Sequence, residues 1–366
     1  MVAVLCVHAG TRLIGGAVGV DVFFVLSGFL ITALLLEEWE GSGRIDVKAF
    51  YERRARRLLP ALLLLLVIVS LAYTADPHLN SGWSLAPTLL AVLSYAGNWV
   101  IAIADPVRQG NLGAAGHTWS LAVEEQFYLL WPLVLIVLLR RSWNKKRLLI
   151  LLVVGAVMSA VWRAVVYLEP VGPHGVAAYI RSDTRADGLL LGCALAVAAT
   201  TVRGRALIDR SLAASPIMLI SLGFLLLVGF EAPWTDRRLY LGGFFLVSLA
   251  AAAIVAHALA RDSWLTRLLR RRELVWLGRR SYGVYLFHPP VFLVLATIGV
   301  IGYPALFVGG ALTIVVAGVS YSWVERHFLA RKRYPTPRPT SSVVDVAGIE
   351  APAAGVMIAR PSETLG

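Results

Sequence analysis

Long apolar runs alternating with short, Arg-rich polar segments are the most regular feature of the chain. The runs occupy residues 17–36, 58–75, 119–139, 147–168, 188–201, 216–231, 239–259, 283–301 and 304–324, with a shorter one at 1–9. As a helix rising 1.5 Å per residue, a run of about 20 residues crosses roughly 30 Å of hydrocarbon. Inside lipid every backbone amide needs an internal partner, so such runs must be helical. The pattern predicts an all-α integral membrane protein, a bundle of about ten transmembrane helices.

The polar segments orient the bundle. Residues 44–57 carry Arg44, Lys48, Arg53, Arg54, Arg56 and Arg57, and residues 140–147 carry Arg140, Arg141, Lys145, Lys146 and Arg147. Basic segments stay cytoplasmic, so an even number of crossings must separate these two. A further apolar stretch, 87–104, would make the number odd. Because Pro87, Gly97 and Asn98 interrupt it, it is expected to be re-entrant or interfacial, which irregular backbone tolerates when buried in protein. The same parity puts 202–210, 260–280 and the tail from Glu325 inside. Both termini are then cytoplasmic in a multi-pass protein of the cell's inner (plasma) membrane. Residues 1–330 read as one membrane domain, and 331–366, rich in Pro, Ser, Thr and Ala, as a disordered cytoplasmic tail.

Composition agrees: 58% of residues are hydrophobic, 15% are charged and the mean hydropathy is +0.72. Soluble domains carry nearer 25% charge. The net charge of +12 is gathered in the connecting segments, which is the topology signal and argues against a nucleic-acid partner. Cys6 and Cys193 both lie in apolar runs, so neither a disulfide framework nor a metal-binding spacing is present. The lipid bilayer is the expected partner; oligomeric state has no signature.

Polar groups at membrane depth are costly and therefore candidates for function. His8 stands in VAVLCVHAG, followed by GGAVGVDVFFVLSGFLIT at 15–32. Four more stretches follow in order: FYERRARRLLPAL (50–62), HTWSLAVEEQFYLLWP (117–132), RSDTRADGLLLGCALA (181–196) and SYGVYLFHPPV (281–291). Together they resemble the acyltransferase family 3 membrane proteins, a group that includes O-antigen acetylases, over roughly residues 1–330. The resemblance implies a membrane O-acyltransferase, of bacterial type. It would move an acyl group, acetyl in the simplest case, from cytoplasmic acyl-CoA (acetyl-CoA) to a hydroxyl of a carbohydrate, glycolipid or glycosylated natural product. Acyl-CoA would be a co-substrate, with no permanently bound cofactor, and His8 would hold the essential His position. The family pattern also has an Arg eleven positions before that His, whereas seven residues precede His8 here. Met1-Val2-Ala3-Val4 reads as mid-helix sequence, which points to a start further upstream; the alternative is an inactive member that lost the Arg.

Each candidate admits a chemical and a structural reading. Imidazole can take the acceptor's proton and return it to the leaving thiolate, or simply bond another helix. Asp21 is either the acid that orients His8 or an acid complementing a helix start. Arg53, Arg54 and Arg57 match coenzyme A phosphates, or serve topology alone. Ser120 reads as a helix N-cap with Glu124 and Glu125 in the first turn, and Trp119, Ser120 and Glu124 also suit a sugar on the outer face, beside His117. Arg181, Asp183, Arg185 and Asp187 are expected to pair among themselves, with Arg185 and Asp187 in the family-matching positions for substrate. His288 lines an acyl-CoA channel or joins helices, and Pro289 and Pro290 could free a carbonyl beside it. No Ser or Cys sits in a nucleophile setting, so direct transfer is expected. A second reading is a polytopic transporter or flippase using His8 and Asp21 as a proton relay.

Overall fold

The structure, a computed structural model, describes residues 1–75, 84–103, 112–169, 174–212, 215–260 and 264–329. All regular secondary structure among the described residues is helical. In chain order the α-helices are α1 (Val2–His8), α2 (Gly19–Ser42), α3 (Val47–Ala75), α4 (Leu85–Leu93), α5 (Gly97–Ile103), α6 (Thr118–Arg140), α7 (Lys145–Leu168), α8 (His174–Ile180), α9 (Ser182–Ala199) and α10 (Val202–Leu207). Then come α11 (Ser215–Glu231), α12 (Phe244–Leu259), α13 (Trp264–Leu269), α14 (Arg272–Thr297), α15 (Gly302–Ser320) and α16 (Arg326–Leu329).

Among the described residues six helices are long and apolar enough to cross a membrane, or seven if the α8–α9 and α10 stretches, bent by 100°, count as one span. The ten crossings expected from the sequence need three more: α1 with 7 residues, α11 with 17, and α14, whose first half carries Arg272, Glu273, Arg279 and Arg280. The basic segments are not the expected loops. α3 begins at Val47 and carries Arg53, Arg54, Arg56 and Arg57 as a helical extension of an apolar span. No Gly or Pro interrupts 47–59, the residues are good helix formers, and Glu52 pairs with Arg56 one turn on at 3.3 Å. Residues 202–210 and much of 260–280 are helical as well, while the tail from 330 onward lies outside the described residues.

Between α4 and α5 the expected break in 87–104 occurs, at Ser94–Ala96, where Tyr95 takes a left-handed φ of 52°. Pro87 stays in the first turn of α4, where its missing N–H costs nothing. The exposed polar groups of the break are answered from outside. Gln126 donates to the Tyr95 carbonyl at 2.6 Å and to Asn98 Oδ1 at 2.9 Å, and Asn98 donates to Ser182 Oγ at 2.8 Å. Irregular backbone at this depth is thereby held by α6 and α9.

At the heart of the bundle α9 packs between α2 and α7. The α2–α9 seam is made by Gly28 and Gly192. A Cβ on Gly28 would stand 1.9 Å from Leu189 O, and one on Gly192 would stand 2.1 Å from Val25 O. Small residues let membrane helices approach this closely. The charged ends gather at one end of this bundle. Lys145 reaches Glu40 at 2.7 Å and the Thr200 carbonyl at 3.2 Å, and Arg53 meets Glu38 at 3.6 Å.

Gly28→Ala should therefore lower thermal stability in detergent by about 1–3 kcal/mol, the usual cost of overpacking. Gly310→Ala, where an added Cβ meets nothing within 4 Å, should not. Paired unfolding curves check this.

Candidate active site

The site begins with a defect in α14. A proline lacks the N–H that would bond the carbonyl four residues back, so Pro289 and Pro290 leave the carbonyls of Tyr285 and Leu286 without helix partners. Both carbonyls are taken by imidazoles. His288 Nδ1 lies 2.6 Å from Tyr285 O, and His117 Nε2 lies 3.1 Å from Leu286 O. A carbonyl oxygen can only accept, so in each case the ring nitrogen carries the proton. His8, at the end of α1, donates likewise from Nδ1 to Val4 O at 2.9 Å, leaving its Nε2 free of that bond. The His8 and His288 rings meet edge to face with centroids 4.6 Å apart, and His117 stands 5.4 Å from His288. Tyr285 OH donates to His117 O at 3.1 Å and lies 2.5 Å from Ser120 Oγ. Three imidazoles, a phenol and a serine from α1, α6 and α14 form one cluster, buried except at His8, which is exposed.

A second group continues along α6. Ser27 of α2 donates to Glu124 at 2.7 Å. Arg54 of α3 pairs with Glu125, and its guanidinium lies 3.5 Å from the Tyr128 ring centroid. Tyr51 OH donates to Leu129 O at 2.6 Å. Trp119 faces Phe24 at 6.2 Å and Tyr179 at 5.0 Å.

A third group is made of charge. Asp21 in the first turn of α2 accepts from Arg185 Nη2 of α9 at 2.8 Å, and both are buried. Arg163, in the C-terminal part of apolar α7, donates to both oxygens of Asp187 at 2.9 and 3.0 Å and to Thr184 O at 2.8 Å. Arg181 pairs with Asp183 at 2.6 Å. The Arg185 guanidinium also lies among aromatic rings, 4.4 Å from Phe244 and 5.2 Å from Tyr179.

These positions correct several expectations. Asp21 does not reach His8: one oxygen is held by Arg185 and the other has no partner among the described residues. The carboxylate is drawn to the nearest full charge, not to a neutral ring. Arg181 and Asp183 pair as expected, but Arg185 and Asp187 reach to other helices. Ser120 is not an N-cap; α6 starts at Thr118 with His117 in the cap position, and Ser120 turns to Tyr285. Glu124 and Glu125 consequently stand beyond the first turn. Glu125 meets Arg54 of the basic stretch, so the acids do not line an outer face apart from it. Because successive helical residues turn by about 100°, Arg54 and Arg56 point to opposite sides of α3. Arg54 is turned inward, Arg56 lies against Glu52, and Arg53, paired with Glu38, is half exposed. Arg57 lies within electrostatic reach of the buried Glu325.

Sequence reasoning missed Arg163 and Tyr285. A lone Arg inside the run 147–168 was a usable signal, and Tyr285 lies one turn before His288 on the same helix face.

A multi-pass helical bundle with this histidine cluster defines a class: the chain belongs to the acyltransferase family, whose acyltransferase domain matches residues 1–323. It is 34% identical over 319 residues to the peptidoglycan O-acetyltransferase OatA of Listeria monocytogenes, covering 85% of this chain and 51% of that protein. It is 31% identical over 334 residues to the O-acetyltransferase OatA of Staphylococcus aureus, covering 89% and 55%. The chain spans about half the length of these relatives. No solved structure matches it.

Removing one member of a buried ion pair strands the other, at a cost of about 3–5 kcal/mol. Arg163→Leu and Asp187→Leu should each destabilise the bundle by about that much, and the double variant by clearly less than the sum. Thermal unfolding of the four proteins in detergent measures the coupling.

Proposed function

We propose that the chain is a membrane O-acyltransferase that moves an acetyl group from cytoplasmic acyl-CoA to a carbohydrate hydroxyl. Peptidoglycan, named in one relative, is the first acceptor to test. The observation that carries this reading is the placement of His8 against His288 and His117, where three of the motif-bearing segments meet inside a matched acyltransferase domain.

With Nδ1 committed to Val4 O, His8 offers Nε2 as the base. It takes the acceptor's hydroxyl proton, and the oxygen attacks the thioester carbonyl. The new C–O bond forms, the C–S bond breaks, and the thiolate recovers the proton from His8. Arg53 and Arg57 would hold the donor's phosphates. Arg54, tied to Glu125, and Glu124, tied to Ser27, would line the path from the donor's phosphates to His8. In this reading Trp119, Ser120 and Glu124 would face the acceptor and His288 the thioester, while the ion pairs of Asp21, Arg185 and Asp187 hold the helices that frame them.

We place ten crossings in the inner (plasma) membrane, counting α1, α11 and α14, with both termini cytoplasmic and residues 1–330 acting as one domain. The ion pairs Lys145–Glu40 and Arg53–Glu38, both at the C-terminal end of α2, support a common side for both basic segments.

Membranes carrying the chain should transfer label from acetyl-CoA into envelope glycans, and His8→Ala should reduce transfer by at least about a hundredfold. Absence of incorporation into glycan, with label appearing in no other acceptor, would overturn the reading. The joint variant Arg53→Ala/Arg57→Ala should raise KM for acetyl-CoA about tenfold or more with little change in kcat, because phosphate contacts remote from the reacting bond act mainly in binding.

A further inference from the structure

The two prolines after His288 shape the lone pairs of the histidine cluster, and the role assigned to them rests on the acyl-transfer reading. Pro289 withholds the N–H that Tyr285 O would otherwise accept, and Pro290 does the same for Leu286 O. Two adjacent prolines inside a helix are unfavourable for the helix alone. Here the two carbonyls so released are the same two that hold His288 Nδ1 and His117 Nε2.

The bond to Tyr285 O fixes His288 as the Nδ1–H tautomer. That is the less common form of a free imidazole ring, and it leaves Nε2 as a bare lone pair. This Nε2 is fully buried and has no partner among the described residues, on a ring 4.6 Å from His8. His8 is held by Val4 O in the same tautomer. The groups around His288 are His8 from α1, His117 from the start of α6, and Tyr285 and Phe292 from its own helix. None of these is a carboxylate, so among the described residues the groups packed against His288 carry no full negative charge.

We propose that His288 is a positioning residue for His8, its tautomer set by the carbonyl that Pro289 frees, and that its bare Nε2 receives a hydrogen bond when His8 is protonated. During transfer the hydroxyl proton moves to His8 as the C–O bond forms. The resulting imidazolium is shared with the neighbouring lone pair, and the proton leaves with the thiolate once the C–S bond has broken. A neutral acceptor suits a proton that must be surrendered again, because a carboxylate in its place would hold the imidazolium more tightly.

The device is tested on the full chain in lipid bilayers, with ring-nitrogen NMR of 15N-histidine protein read beside acetyl transfer. The wild type should show His288 with its proton on Nδ1. Pro289→Ala restores a ladder donor that competes for Tyr285 O, so it should shift His288 toward the Nε2–H tautomer while thermal stability holds or rises. The same variant should lower kcat about tenfold with KM for acetyl-CoA unchanged. His288→Phe should lower kcat about a hundredfold, and His288→Gln, whose amide oxygen can stand where Nε2 does, should recover most of it. A purely structural His288 predicts the opposite for Pro289→Ala, namely an intact rate in a more stable helix, and that result would overturn the proposal. So would an Nε2–H signal at His288 in the wild type. Failure of the wild type to transfer label at all, with the tautomers as stated, would instead sink the acyltransferase reading and leave the geometry standing.

Discussion

Full charges placed among apolar helices must find opposite charges, and in this bundle that requirement decides which helices lie together. Asp21 and Arg185 join α2 to α9, and Arg163 and Asp187 join α7 to α9 as well. An unmatched charge at this depth would cost more than any one helix contact returns, so the three helices have a single low-energy register. The seam of Gly28 and Gly192 then closes α2 on α9 without side chains between them. With α2 fixed, Ser27 is presented to Glu124 and Phe24 to Trp119, which sets the rotation of α6.

From that frame the histidine cluster is assembled by a different means. Among the described residues the three rings are oriented by backbone carbonyls and not by ion pairs. Helix interiors normally have none to spare, and the paired prolines of α14 supply two. One serves a ring on the same helix and the other a ring at the start of α6, so the defect both orients His288 and ties the two helices together. Local helix regularity is given up where proton chemistry needs defined lone pairs.

Six or seven of the expected spans were legible among the described residues because hydrophobic length is a local property; the short run 1–9, α11 and the partly charged α14 do not meet that measure. The break near Tyr95 was visible as an interrupted apolar run, though not its position, since Gly97 and Asn98 begin α5 and do not end α4. His8, His117 and His288 could be picked out singly as polar residues in apolar or motif-bearing segments. Their assembly could not, because it joins residues 8, 117 and 288 through ring contacts that no local pattern encodes. Asp21 reads in the sequence as either a partner of His8 or a helix-start acid; it stands in the first turn of α2, and its ion-pair partner lies 164 positions away. Arg53, Arg54, Arg56 and Arg57 read as one patch in the sequence, and α3 distributes them around a cylinder so that they face different neighbours.

The glycine seam has a consequence for how such a chain can diverge. Most core contacts drift by exchange, a larger side chain on one helix being answered by a smaller one across the interface. At Gly28 and Gly192 the opposing surface is the backbone of Leu189 and Val25, which has nothing left to shrink. No second substitution can repair a first, so descendants of this sequence can explore new residues around the seam while these two positions stay locked to one another's history.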